Sequence, residues 1–178
     1  LPVQSGITAC LERMNRTYTR EWYLNRIDAI KKIIPDCGIS SDMIAGFCGE
    51  TEEEHQDTLS MMEYVRYDLC YMYYYSERPG TLAARKFKDD VPLETKKRRL
   101  AEIVELQNRH SKENNLAEIG KTFKVLIEKT SKKSDDELCG RSSNNRFIIF
   151  PKGNHKIGEY VNVLVESGNK AMLKGRVV

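Results

Sequence analysis

No two of the five cysteines lie closer than eleven positions: Cys10, Cys37, Cys48, Cys70 and Cys139 form no CxxC pair and no CxxxCxxC run. That excludes a local zinc or iron–sulfur motif, and free thiols in a reducing compartment are the plain reading of an odd count. No stretch approaches the ~20 apolar residues that a membrane-crossing helix needs, so no membrane partner is expected. The opening Leu1-Pro2-Val3-Gln4-Ser5-Gly6 lacks the basic region and apolar run of a signal peptide. It also lacks an initiator Met and starts in a strand-like stretch. We therefore expect a piece of a longer, cytoplasmic protein. Charge of one sign is scarce overall, with a net +3 over 178 residues, and the excess sits at one end. Residues 1–115 carry 17 Lys and Arg against 19 Asp and Glu, whereas 116–178 carry 12 against 7. A basic tail on a neutral body suits a phosphate-backbone binder, the alternative being an ordinary solvated basic surface.

Hydrophobic residues make up 40% of the chain, enough for a core. The first part alternates strand-like and helix-like segments. Pro2-Val3-Gln4 reads as a strand end and Thr8 to Asn15 as a short helix. Thr19 caps a helix running to about Ile34, with Trp22, Ile27, Ile30 and Ile34 on one face. Met43 to Phe47 is a short apolar run of the kind that forms a buried strand. Thr51 and Glu54 make a capping box that opens a helix, and Leu69 to Tyr75 is β-rich. This order predicts parallel βαβ units, hence an α/β class. Pro92 starts a long helix to about Asn115, whose Lys96-Lys97-Arg98-Arg99 run reads as a solvated face. His55, His110 and His155 share no partner pattern and read as solvated. Tyr71, Tyr73 and Tyr75 lie on one side of their strand; core packing is the plain reading, a stacking wall for an extruded base the alternative.

Past Asn115 the pattern changes. Thr122–Glu128, Phe147–Phe150, Tyr160–Val165 and Ala171–Val178 alternate or run apolar between glycines, which predicts a small OB-like antiparallel β-barrel over 116–178. Its candidate RNA contacts are Lys121, Lys129, Lys132, Lys133, Arg141, Arg146 and Lys152. Phe147, Phe150 and Tyr160 offer an aromatic platform, although at least two of them are expected to fill the core.

In Asp42-Met43-Ile44-Ala45-Gly46-Phe47-Cys48-Gly49-Glu50-Thr51, a buried strand ends in two glycines and a capped helix follows. Ligands bind beyond such strand ends, and glycine lets backbone approach them. Taken with Pro2-Val3-Gln4-Ser5-Gly6, Met14-Asn15-Arg16, Tyr18-Thr19-Arg20-Glu21 and Tyr75-Ser76-Glu77-Arg78-Pro79-Gly80-Thr81, this stretch resembles the methylthiotransferase branch of the radical S-adenosylmethionine enzymes. Ile119-Gly120-Lys121, Gly140-Arg141, Asn144-Asn145-Arg146 and Ile157-Gly158-Glu159-Tyr160-Val161 resemble a TRAM domain. Two departures stand out: Cys48 where the family usually has Pro, read as packing, and Ile7 where it has Ser.

The resemblance implies that 1–115 is the C-terminal part of a radical S-adenosylmethionine core, a partial β/α TIM-like barrel with a linking helix. It implies S-adenosylmethionine and two 4Fe–4S clusters as cofactors, the clusters ligated outside this chain, and tRNA as partner. No catalytic residue and no metal ligand is expected within the chain. Gln4, Arg16 and Asp42 are the residues implied to hold S-adenosylmethionine, with Gly46 and Gly49 shaping the turn. The reaction implied adds a methylthio group to C2 of an N(6)-isopentenyl-type adenosine next to the anticodon. The alternatives are a sibling acting on threonylcarbamoyl-adenosine or a ribosomal protein, and a non-catalytic RNA-binding module.

Overall fold

A computed structural model describes residues 1–178, which divide into two compact units, Leu1–Asn108 and Arg109–Val178. The first unit contains α1 (Thr8–Arg13), α2 (Arg20–Ile33), β1 (Ser40–Ala45), α3 (Glu52–Val65), β2 (Leu69–Tyr74) and α4 (Leu82–Lys86). It also holds most of α5 (Leu93–Leu116), whose last turns belong to the second unit. Strands β1 and β2 pair in parallel from Ser40 opposite Leu69 to Ala45 opposite Tyr74, with α3 as the crossover between them. Gln4 adds a parallel bridge to Met43: its N–H donates to the Asp42 carbonyl and its carbonyl accepts from Ile44, each at 2.9 Å. The expected alternation thus holds, and both cap assignments with it. Thr19 Oγ1 accepts from the Trp22 N–H, and Thr51 with Glu54 forms the full capping box.

Several sequence expectations about the helices and histidines fail. On α2, Tyr23 and Ile27 enter the core, while Trp22 and Ile34 stay 45% and 55% exposed. Ile27 and Ile30 of the expected face do pack on the core that Val3, Met43 and Met62 share, but Tyr23 and Leu24 join them there in place of Trp22 and Ile34. Instead, Arg26 covers the Trp22 ring at 5.0 Å. On α5, Lys96 and Arg99 are buried although Lys97 and Arg98 do face water. They open the stripe that Ile103 and Leu106 continue at helical spacing, so the buried side of α5 begins with two cations. Third, His55 is fully buried, its Nε2 2.6 Å from the Glu102 carboxylate, and so is His110 at the start of the second unit.

Both buried cations have partners. Lys96 Nζ donates to Asp89 at 2.6 Å and to the Tyr75 carbonyl at 3.3 Å. Arg99 Nη1 donates at 2.9 Å to the Glu50 carboxylate and at 2.9 Å to the Glu50 carbonyl. The same carboxylate accepts from the Gly46 N–H. One buried acid therefore ties the β1–α3 loop to itself and to α5.

The second unit is a closed barrel of β3 (Thr122–Ser131), β4 (Ser134–Ser142), β5 (Phe147–Pro151), β6 (Tyr160–Gly168) and β7 (Leu173–Val177), in the order β3-β4-β5-β7-β6. Val125, Ile127, Leu138, Ile148, Phe150, Val161, Val163, Val165 and Leu173 fill it. The barrel expectation holds, with two corrections. Strand β4 went unread because its Ser-Asp-Asp-Glu start is polar and, of its nine residues, only Leu138 joins the core. The barrel is also not wholly antiparallel, since β5 and β7 pair in parallel at Ile148–Leu173 and Ile149–Lys174. Closure needs the backbones to approach closely at β3–β4: a Cβ at Gly140 would sit 2.0 Å from the Leu126 carbonyl oxygen.

Two outcomes follow from the buried acid. Arg99→Met strands the Glu50 carboxylate and should cost about 3–5 kcal/mol in urea unfolding of the first unit. Glu50→Gln/Arg99→Met should cost less, because Gln keeps an acceptor for the Gly46 amide without a buried charge. Burial also pushes the Glu50 carboxyl above its ordinary range despite Arg99 and Gly46. The folded state then holds the extra proton, so this group makes stability fall as pH rises just above the usual carboxylate range. Unfolding measured from pH 4 to pH 7 should show that decline, and Glu50→Gln should remove it.

Candidate functional site

The ends of β1 and β2, the chain before α1 and the turn after it enclose a cleft of about 200 Å³. Gln4, Arg13, Met14, Asn15, Arg16, Ile44, Phe47, Tyr75, Leu82 and Ala83 line it. Two lining residues hold left-handed backbone, Gln4 at φ 72° and Asn15 at φ 58°. Asparagine tolerates that region; a glutamine there is costly and persists because its backbone is stitched to β1 on both sides. Strain of this kind concentrates where a side chain must be aimed.

The structure brings Gln4 and Arg16 together on this cleft. Asp42 lies outside the lining, two residues before Ile44 and on the same side of β1. Gly46 and Gly49 adopt φ of 69° and 71°, and a Cβ at Gly46 would stand 2.4 Å from Lys96 Cγ. Their amides are already engaged, Gly46 by Glu50 and Gly49 by Asp90 at 2.7 Å. Arg13, which sequence reading passed over, locks α1 to the β1–α3 loop by donating to the Cys48 carbonyl at 3.1 Å and to the first turn of α3 by donating to Glu54 at 3.0 Å.

Aromatic rings form one wall. Phe47 and Tyr75 meet edge to face at 4.9 Å, and Lys96 Nζ lies 5.2 Å from the Tyr75 ring centroid. Burial pushes the Tyr75 phenol up to about 12. Tyr71 and Tyr73 contradict the core-packing expectation. They are 54% and 58% exposed, on the sheet face shared with Asp42 and Ile44, because the opposite face, with Cys70 and Met43, took the core.

No group of three or more His, Cys, Asp or Glu side chains converges as a metal site. All five cysteines are free, and burial pushes the thiols of Cys10 and Cys70 up to about 11 and about 12. Thiols held protonated in this way are poor nucleophiles and poor metal ligands. Cys48 is buried beside Cys10 and Phe47, a packing position.

On the barrel, Lys121, Lys129, Lys132, Lys133, Arg141 and Lys152 are exposed, while Arg146 is largely buried and pairs with Glu118 at 3.3 Å. Lys129 and Arg141 converge on the Phe147 ring, at 5.9 Å and 5.7 Å from its centroid. Lys132 and Lys133 lie in the β3–β4 turn and Lys152 follows β5. Sequence reading missed Lys124, which lies 4.9 Å from the Tyr160 centroid. Its signal was the strand alternation around Val125. Of the three aromatic candidates only Phe150 fills the core; Tyr160 is 62% exposed and Phe147 half-buried.

Residues 116–178 match the TRAM domain family model. The whole chain is similar to curated proteins named tRNA-2-methylthio-N(6)-dimethylallyladenosine synthase. The relative from Amoebophilus asiaticus is 58% identical over 99% of this chain. Those from Flavobacterium johnsoniae and Bacteroides fragilis are 57% and 53% identical over all of it. The chain spans only 37–39% of the length of these relatives. Across both of its units, it is therefore a homologue of one portion of the tRNA-2-methylthio-N(6)-dimethylallyladenosine synthases, a portion that includes a TRAM domain.

Proposed function

We propose that this chain is the C-terminal part of a cytoplasmic radical S-adenosylmethionine enzyme that adds a methylthio group to C2 of an isopentenyl-type adenosine in tRNA. The single observation that carries the reading is identity of 53–58% running the length of the chain, through the cleft unit and the barrel alike. In this reading the first unit, with the linking helix to residue 115, contributes later strands of a partial β/α barrel. Residues 116–178 serve as the tRNA-binding module.

The cleft suits S-adenosylmethionine in its chemistry. The Gln4 amide can bond ribose hydroxyls, and the Arg16 guanidinium can pair a carboxylate in bidentate fashion. Ile44 and Phe47 offer apolar surface to a base. Asp42, on the Ile44 side of β1, supplies an acceptor for hydroxyls at the cleft's edge. Gly46 and Gly49 act through their backbone path, since both amides are occupied by carboxylates. When bound, the cofactor supplies the radical chemistry that an unreactive adenine C–H requires, and the protein orients the partners. The two 4Fe–4S clusters of the whole enzyme are held by cysteines outside this chain.

The test uses the full-length enzyme. Gln4→Ala and Arg16→Ala should each weaken S-adenosylmethionine binding by calorimetry, Arg16→Ala by about 10- to 100-fold, with unchanged melting curves. Wild-type affinity in both variants would remove these residues from the cofactor site.

A further inference from the structure

We infer that the outer face of β3, β4, β5 and β6 is a stacking platform for unpaired RNA bases, with Phe147 and Tyr160 as its two stacking positions. The inference rests on the reading of the barrel as the RNA-binding module and adds where the RNA lies and what holds it.

Strand register builds the platform. Phe147 stands opposite Arg141, Arg141 opposite Leu126, and Leu126 opposite Tyr160. Directly paired residues share a sheet face, so these four side chains form one row across four strands. The row lies outside the barrel, because Ile148, Leu138, Val125 and Val161, with the opposite parity on the same strands, make up its core. Three strand spacings separate the two rings, at most about 14 Å along the curved surface.

The chemistry of the row points to nucleic acid. Each ring carries a cation: Arg141 and Lys129 lie against Phe147, and Lys124 against Tyr160. Glu128 stands 3.6 Å from Arg141 and offsets part of that charge. Even so, residues 116–178 hold 12 Lys and Arg against 7 Asp and Glu, and the face keeps its complementarity to phosphate. Tyr160, the first residue of β6, stays 62% exposed and lies outside the cluster that fills the barrel, so core packing does not explain it. Rings interleaved with cations offer bases a π-face and the backbone a counter-charge, a combination that binds single strands with little sequence preference. A duplex hides its base faces, so the occupant is an unpaired stretch such as a loop.

The experiment titrates the 178-residue chain with a fluorescein-labelled unpaired oligoribonucleotide and, separately, with a fully paired RNA hairpin stem, at several salt concentrations. Tyr160→Leu and Phe147→Leu should weaken single-strand binding by about 5- to 100-fold each while leaving the salt slope unchanged. Lys124→Gln and Arg141→Gln should lower the slope by about one contact each. Stem binding should barely respond to the leucine variants. Tyr160 is exposed, so its variant reports even if Phe147→Leu disturbs the fold. Wild-type single-strand affinity in Tyr160→Leu overturns the platform, and is the result expected of a face that docks protein instead. If the wild-type chain binds neither RNA, the underlying reading of the barrel falls as well.

Discussion

The Glu50 carboxylate is the constraint on which the first unit's architecture turns. It is buried, and it holds the Gly46 amide on one side and the Arg99 guanidinium on the other. An unpaired charge there would be expensive, so the β1–α3 loop and α5 cannot separate without stranding either an acid or a base. Arg13 secures the loop from α1 through the Cys48 carbonyl and Glu54. Lys96 reaches the Tyr75 carbonyl that follows β2. Arg99 and Arg13 thus fix a loop whose two glycines run through left-handed backbone, and Lys96 ties α5 to the chain after β2. The cleft beside it owes its shape to that framework, and Gln4 holds its strained φ because β1 grips it from both sides.

The barrel is organised differently. Its interior is aliphatic apart from Phe150, and its charge lies outside. Strand alternation separates the two jobs, core on one parity and contact surface on the other. A cross-strand row such as Phe147, Arg141, Leu126 and Tyr160 appears only once the register is known, because these residues come from distant parts of the chain. The two units accordingly suit two tasks in the proposed enzyme: a framework of buried ion pairs aiming polar groups at a small cofactor, and a rigid curved sheet presenting rings and cations to RNA.

Much of this was legible in the sequence because it is local. Helix caps, βαβ alternation and the glycine-punctuated tail each need only a few neighbouring residues, and they gave the α/β first part and the small barrel, though not strand β4 or helix α4. What failed needed tertiary partners. The Lys96 to Arg99 run looks like a solvated face until Asp89 and Glu50 are placed beneath it. His55 looks solvated until Glu102 meets it from another helix. The tyrosines of β2 look like core because nothing local says which face of a two-stranded sheet the helices will cover. For the site, Gln4 and Arg16 came from family resemblance, and the structure places both on one cleft with Asp42 beside it.

The claim on which the functional account stands is that RNA is held by the barrel's outer face and not by the cleft unit. Amide chemical-shift mapping of the 178-residue chain titrated with unmodified tRNA addresses it directly. Shifts concentrated at Lys124, Leu126, Lys129, Arg141, Phe147 and Tyr160, fading as salt rises, are the predicted result. Shifts concentrated within residues 1–108, or a barrel response indifferent to salt, would contradict it.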